Sequence, residues 1–375
     1  MDDLNRLLSK PVNRRSFLAA AGLTGAGAVL AACSSDGGGG GGGGGDVEDA
    51  LYVYNWSDYI NPDNIDKFKE EFGVNEFVYD IFANNEELLA KLQGGASAYD
   101  IACPTAEYVP AMREGGFLQK LDLARLPNLQ YINDTFKGLA WDPTDEYQVP
   151  KDYGTTGLLY RSKLVTEPLT SWKEFFELAK GPHSGKIVVV DSMGDVFTFP
   201  LKMLGYSLNS LDPDELEEAR QILLELAPHV LALDSDLYGD KLASEEATIA
   251  LAWTGPLVEL RASEETADAA WVNPSEGTLF WLDVWCMLAD APHPNASYAF
   301  LDFIHRPEIQ GDETNYNGYA TPNDAAKDFV DPEILADPAI FPSEEVIAKL
   351  EGAEDTSSNN QRIEIWEEFK SKVGS

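Results

Sequence analysis

Basic residues are what this chain most conspicuously lacks: 27 Lys and Arg stand against 64 Asp and Glu, a net charge of −37. Phosphate recognition needs a basic surface, so nucleic acid is excluded as a partner. Such an acid excess suits a protein kept soluble in concentrated salt, where screening suppresses self-repulsion, and a halophilic or otherwise acid-biased source is expected. Histidine is also scarce. His183, His229, His293 and His305 are scattered with no pair at ligand spacing, so no metal site is expected. There is no Gly-rich phosphate loop and no GxSxG elbow, and the glycine run 37–45 precedes the fold with no helix after it, so no cofactor is expected. Beyond Cys33, the cysteines are Cys103 in DIACPT and Cys286 in DVWCML, apolar contexts that suit buried free thiols; spacing leaves a disulfide between them open. After residue 32 no stretch is long and apolar enough to cross a bilayer, and no internal repeat is found.

What is present begins with a leader. NRRSFL at 13–18 precedes an apolar, small-residue run at 19–32 that ends in LAAC at 30–33. Twin arginines, a short apolar core and terminal small residues make a secretory signal rather than a span. The segment resembles a twin-arginine signal fused to a lipobox. That likeness implies export of the folded chain, cleavage before Cys33, lipidation of its thiol, and residence on the outer face of the cytoplasmic membrane, at the cell surface or in the periplasm. Residues 33–49 then read as a lipidated cysteine and a flexible tether.

The globular part is organised around LYVYNWSDYI at 51–60. Alternating Leu51 and Val53 predict a core strand that delivers Trp56, Ser57 and Tyr59 to a loop at its carboxyl end, where open α/β sheets place ligands. Strand and helix patterns alternate from there, predicting an α/β protein with mixed, mostly parallel sheets flanked by helices. The length predicts two lobes. We expect lobe 1 to comprise 50–154 plus 282–322, and lobe 2 to comprise 155–281 plus 323–375. FWLDVWCML at 280–288 is the most apolar strand, and Asp283 lies in its middle. An acid inside such a strand is costly unless it is paired.

Aromatics and carboxylates recur at strand ends: Trp56, Ser57 and Tyr59; Thr105 and Glu107; Asp191 and Asp195; Trp253; Trp281 and Asp283; Tyr319. An aliphatic cation asks for this combination, because its ammonium groups need carboxylates, its stem apolar walls, and its charge aromatic faces. Other readings stand beside it. Trp56, Tyr59 and Trp281 could simply fill the core. Asp191 or Asp195 could cap the helix that follows, or pair as the acids of a secreted glycan hydrolase. A quaternary amine, a sugar or a metal chelate could replace the aliphatic cation as solute.

With those residues laid out, the chain resembles the spermidine/putrescine-binding proteins of bacterial ABC importers over residues 50–375. The likeness rests on LYVYNWSDYI, AYDIACPT at 98–105, TSWKEFF at 170–176, DVFTFPLKMLGYS at 195–207, the Trp253 strand, LFWLD at 279–283 and GYATPN at 318–323. It implies a two-lobed, type II periplasmic-binding-protein fold with two hinge crossings. It also implies polyamine capture between the lobes without covalent chemistry, delivery to an ABC permease, a membrane contact through the lipid anchor alone, and a monomer. Carried across, the family's site falls on Trp56, Ser57 (from Thr), Tyr59, Thr105 (from Ser), Asp195 (from Glu), Trp253, Trp281, Asp283 and Tyr319. Asp283 would meet an inner amine and Asp195 a terminal one. The chain departs where the family has a tyrosine and this sequence has Glu107. A second family aspartate falls on Ser192, with Asp191 one residue earlier.

Overall fold

A computed structural model of the chain describes residues 46–95 and 98–374. The twin-arginine stretch, Cys33 and the glycine run lie outside them. In β1 (Ala50–Asn55) the expected alternation is present: Leu51 and Val53 enter the core on one face of the sheet, Tyr54 the core on the other. Parallel to β1 lie β2 (Glu76–Ile81) and β3 (Ile101–Ala102). Between these strands run α1 (Pro62–Phe72) and α2 (Asn85–Gln93), capped by Asn61 and Asn84. A single turn at Ala106–Tyr108 follows β3 and leads into α3 (Val109–Glu114). A loop-rich stretch then ends in β4 (Val149–Thr155).

The second sheet has the order β7-β6-β8-β5-β9. Its strands are β5 (Gly157–Arg161), β6 (Ile187–Val189), β7 (Val230–Leu233), β8 (Ile249–Ala252) and β9 (Ala269–Val272). Around it pack α4 (Trp172–Lys180), α5 (Met193–Leu204), α6 (Pro213–Leu226), α7 (Tyr238–Ala243) and α8 (Pro256–Ala262). A capping box starts α4: the Glu174 N–H donates to Ser171 Oγ, and the Glu174 carboxylate accepts from the Thr170 N–H. Trp172, Phe175, Phe199 and Leu223 fill the core beneath.

The chain returns to the first sheet through β10 (Leu279–Met287) and then forms α9 (Pro294–Ile304) and α10 (Pro307–Asn317). Pro307 starts α10, since a proline at the first position has no N–H to waste. The short β11 (Glu351–Gly352) pairs parallel to the start of β10. Finally α11 (Asn360–Lys372) packs in the second lobe, where Arg220 of α6 pairs with Glu368 at 2.7 Å.

Two adjacent crossings join the sheets. Thr155 is paired with Phe280, and the Thr156 N–H donates to Leu279 O at 3.1 Å, so β4 and β10 meet at the point where both leave for the second sheet. The expected boundary at 281/282 therefore falls inside β10, because the β4–β10 ladder is already formed at Phe280. Residues 323–352, expected in the second lobe, are divided between the two. The turn Asp324–Phe329 is fastened to α10 by Asn315 Nδ2 donating to Phe329 O, and Leu350 enters the first lobe's core, whereas Ala339 joins the second lobe's core and Asp337 pairs with Arg261 of α8. The last helix, α11, packs against the second lobe's core through Ile365, Trp366 and Phe369. Cys103 and Cys286 are free and buried. Among the described residues no helix is long and apolar enough to cross a membrane.

Candidate functional site

The ends of β1, β3, β8 and β10, the first turn of α5 and the loop after α10 converge on a cavity of about 720 Å³. Ten of the eleven residues expected from the sequence line it: Trp56, Ser57, Tyr59, Thr105, Glu107, Asp195, Trp253, Trp281, Asp283 and Tyr319. Asp191 does not. Its N–H donates to Ser235 Oγ at 3.0 Å, and the charges acting on its carboxyl are Lys370 and Glu367 of α11. Ser192 faces the cavity in its place.

Asp283 is 6% exposed. It sits opposite Thr105 in an isolated bridge and accepts from the Tyr59 hydroxyl at 2.6 Å. Its second oxygen has no well-formed hydrogen bond. Thr105 is clamped by Asn85, whose Nδ2 donates to the Thr105 hydroxyl at 2.9 Å while its Oδ1 accepts from the Thr105 N–H. That leaves the threonine's own proton free beside Asp283. Burial pushes the Asp283 carboxyl up to about 7, against the Tyr59 bond, and the charge of Asp152 adds to the rise.

A bulge in β4 explains what lies behind. The register steps from Asp283↔Asp152 to Val284↔Pro150, leaving Lys151 out of the ladder. Its carbonyl accepts from Gln310 Nε2, and the Pro150 carbonyl meets His305 Nε2 at 2.8 Å. The Lys151 ammonium is 2.6 Å from Asp152 and 3.5 Å from the centre of the Tyr59 ring. The buried cation is thus matched to Asp152 and holds Tyr59 against Asp283.

Asp195 is held differently. It accepts from Thr156 and Ser192 hydroxyls and from Trp253 Nε1 at 2.9 Å. Ser192 occupies the residue before α5 without capping it, so neither Asp191 nor Asp195 is the cap. Burial raises the Asp195 carboxyl and its three donors oppose that rise.

Aromatic rings form the walls. Trp56 meets Trp253 across the lobes with centroids 5.9 Å apart, and Tyr319 lies edge-on to both Tyr59 and Trp281. Two glycines make room: a Cβ on Gly154 would lie 2.4 Å from the Trp281 ring, and one on Gly255 would lie 2.5 Å from the Tyr319 hydroxyl. Sequence reading missed Asn85, Tyr238 and Lys151. Asn85 was masked by its neighbour Asn84, which caps α2; Tyr238 starts a short helix with little periodicity, yet its hydroxyl donates to Trp253 O at 3.2 Å. Lys151 had no signal, since a bulge is a property of two paired strands.

Two lobes joined by paired crossing strands, with a side-chain-lined cavity between them, define a two-lobed solute-binding protein. The chain belongs to the bacterial extracellular solute-binding protein family, whose profile matches residues 64–342. It is 30% identical over 327 residues to the spermidine/putrescine-binding periplasmic protein of Salmonella typhimurium, an overlap that covers 87% of this chain and 91% of that one. It is 33% identical over 338 residues to the putrescine-binding periplasmic protein SpuD of Pseudomonas aeruginosa, covering 86% and 92%. Among solved structures it is similar to a putative spermidine/putrescine ABC transporter protein from Listeria monocytogenes, with a TM-score of 0.80 at 29% identity, covering 86% of this chain and 99% of that one.

Proposed function

We propose that this chain is the substrate-capturing subunit of an ABC importer for a polyamine such as spermidine or putrescine. One observation carries the reading: the cavity wall is acidic from Asp283, Glu107 and Asp195 inside to the exposed Asp236, Asp240 and Glu259, and among its lining residues there is no lysine, arginine or histidine. Such a wall rejects anions and gives a neutral sugar nothing to neutralise its acids, whereas ammonium groups meet carboxylates and methylenes meet the rings. With Asp191 turned away, the Asp191 and Asp195 pair considered for a glycan hydrolase is not assembled, which supports capture without turnover.

The lobes close over the bound cation about the 155–157 and 272–279 crossings, and the closed form is what a permease recognises. The chain is exported and held by a lipid on Cys33, with the glycine run as tether, and acts as a monomer in a salt-rich setting. Replacing Cys33 with serine should release the protein from the membrane fraction, and retention there would sink the anchor. The deciding test for the ligand is a thermal-shift and calorimetry screen in concentrated salt against putrescine, spermidine, spermine, betaine and sugars. A true ligand at a hundred times its Kd adds about 2.7 kcal/mol of stability. A response to betaine or a sugar with none to any polyamine would overturn the reading.

A further inference from the structure

We propose that Glu107 is a specificity-determining residue: a third carboxylate in the cleft that favours a ligand with three ammonium groups over a diamine. The inference rests on the polyamine reading above and adds the charge number to it.

Three acids reach the inner cavity from three separate segments: Asp283 from β10, Asp195 from the first turn of α5, and Glu107 from the turn after β3. They differ in how far the protein satisfies them. Asp195 has three donors from side chains; Asp283 has the Tyr59 hydroxyl and one oxygen left over. The Glu107 carboxylate has its own main-chain N–H and no side-chain donor among the described residues, while the charges pressing on it are Asp283, Asp195 and Asp355. The turn that carries Glu107 is held in place. Asn85 fixes the turn at Thr105, and the buried Tyr108 anchors it through its hydroxyl to Glu86 at 3.0 Å.

Among the described residues that line the cavity there is no cation to offset this third acid. The charge of the buried Lys151 ammonium reaches Asp283, but it is matched to Asp152 behind Tyr59 and does not line the cavity. A diamine can therefore answer two of the three carboxylates. The third must stay protonated or remain an uncompensated charge, and a third ammonium removes that choice. A cavity of about 720 Å³ leaves room for the longer chain.

The test is calorimetric titration of the full chain with putrescine and with spermidine in concentrated salt, for the wild type, Glu107→Gln and Glu114→Gln. The wild type should prefer spermidine by about tenfold or more, and Glu107→Gln should lose most of that preference by weakening spermidine about tenfold while putrescine changes less than about threefold. Glu114→Gln removes an exposed acid at the end of α3, outside the cavity, and should keep the preference. Equal weakening of both ligands in Glu107→Gln, no change in either, or the same loss in Glu114→Gln would overturn the assignment of Glu107 while leaving the polyamine reading intact. A wild type that binds neither amine would overturn the polyamine reading and this inference with it. Unchanged thermal unfolding of Glu107→Gln separates a specificity effect from a folding defect.

Discussion

Asp283 in the first lobe and Asp195 in the second face one cavity, and the protein treats them in opposite ways. Asp195 is wrapped by Thr156, Ser192 and Trp253, so its charge is supported before any ligand arrives. Asp283 has one hydroxyl, an oxygen without a well-formed bond, and a carboxyl pushed up to about 7. The second lobe therefore offers a prepared anion. The first offers an acid that becomes a full anion when a cation replaces its proton. A cation can dock on the Asp195 side at little electrostatic cost, while engagement of Asp283 depends on desolvation within the cleft.

The largest break in that comparison is Asp283→Asn. An amide keeps the shape and loses the charge, so polyamine affinity should fall by about a hundredfold in calorimetry, the size expected when a buried charge-assisted pair is lost. The same variant should unfold at a higher temperature than the wild type when both are empty, because a buried, poorly satisfied acid is gone. A loss of less than tenfold would move the main cation contact elsewhere.

pH sharpens the comparison next. Asp283 titrates at about 7 in the empty protein among Tyr59, Thr105, Lys151 and Asp152. A bound ammonium favours its charged form, so affinity should rise about tenfold from pH 6 to pH 8, with one proton released on binding at pH 6 and almost none at pH 8. The empty fold moves the other way. Asp283 and Glu313 are both raised to about 7, from 3.8 and 4.5, so the folded chain holds more protons than the unfolded one across that window. Their stabilising contribution is complete below about pH 4 and is lost as pH rises through about 7. Heat release that is identical in buffers of different ionisation enthalpy at pH 6 would show that no proton leaves. In Asp283→Asn the proton release should vanish.

Much of this was legible in the residues themselves. Leu51 and Val53 alternate because one face of β1 is buried, and an aspartate in so apolar a strand as β10 had to be matched by something, which proved to be Tyr59 and the cavity. The Asp191 and Asp195 pair was ambiguous for a physical reason: a strand end two to four residues before a helix can turn either side chain inward, and only the start of α5 at Met193 decides it. The illegible part is tertiary. Lys151 is buried because β4 slips one residue against β10, and the lobe boundary lies before Leu279 because the ladder extends there; neither is written in the local pattern of either strand. Short elements such as β7 and α7 carry too few residues to show a period, so Tyr238 went unseen.

A smaller effect is expected at Gly154, which faces Trp281 across the β4–β10 ladder. Gly154→Ala would push a methyl to within 2.4 Å of the ring unless the indole moves. The displaced ring still covers part of the cavity, so affinity should fall by about fivefold, the order of one lost cation–π contact. Spermidine and putrescine should suffer alike, since the wall changes and the charges do not. An unchanged affinity would mean that Trp281 packs the hinge without touching the ligand.

The smallest effect tests the prepared side directly. Thr156→Val removes one of three donors to Asp195 and leaves Ser192 and Trp253 in place. The lost bond is charge-assisted, but the two remaining donors still hold the carboxylate, so affinity should fall by only about threefold. Because Thr156 also stands at the crossing, with its carbonyl accepting from the Thr278 hydroxyl, the thermal unfolding of the empty protein must be measured alongside. Affinity loss with unchanged unfolding locates the effect in the charge of Asp195. If instead the fold weakens and the affinity holds, Thr156 serves the hinge, and Asp195 keeps its charge through Trp253 and Ser192 alone.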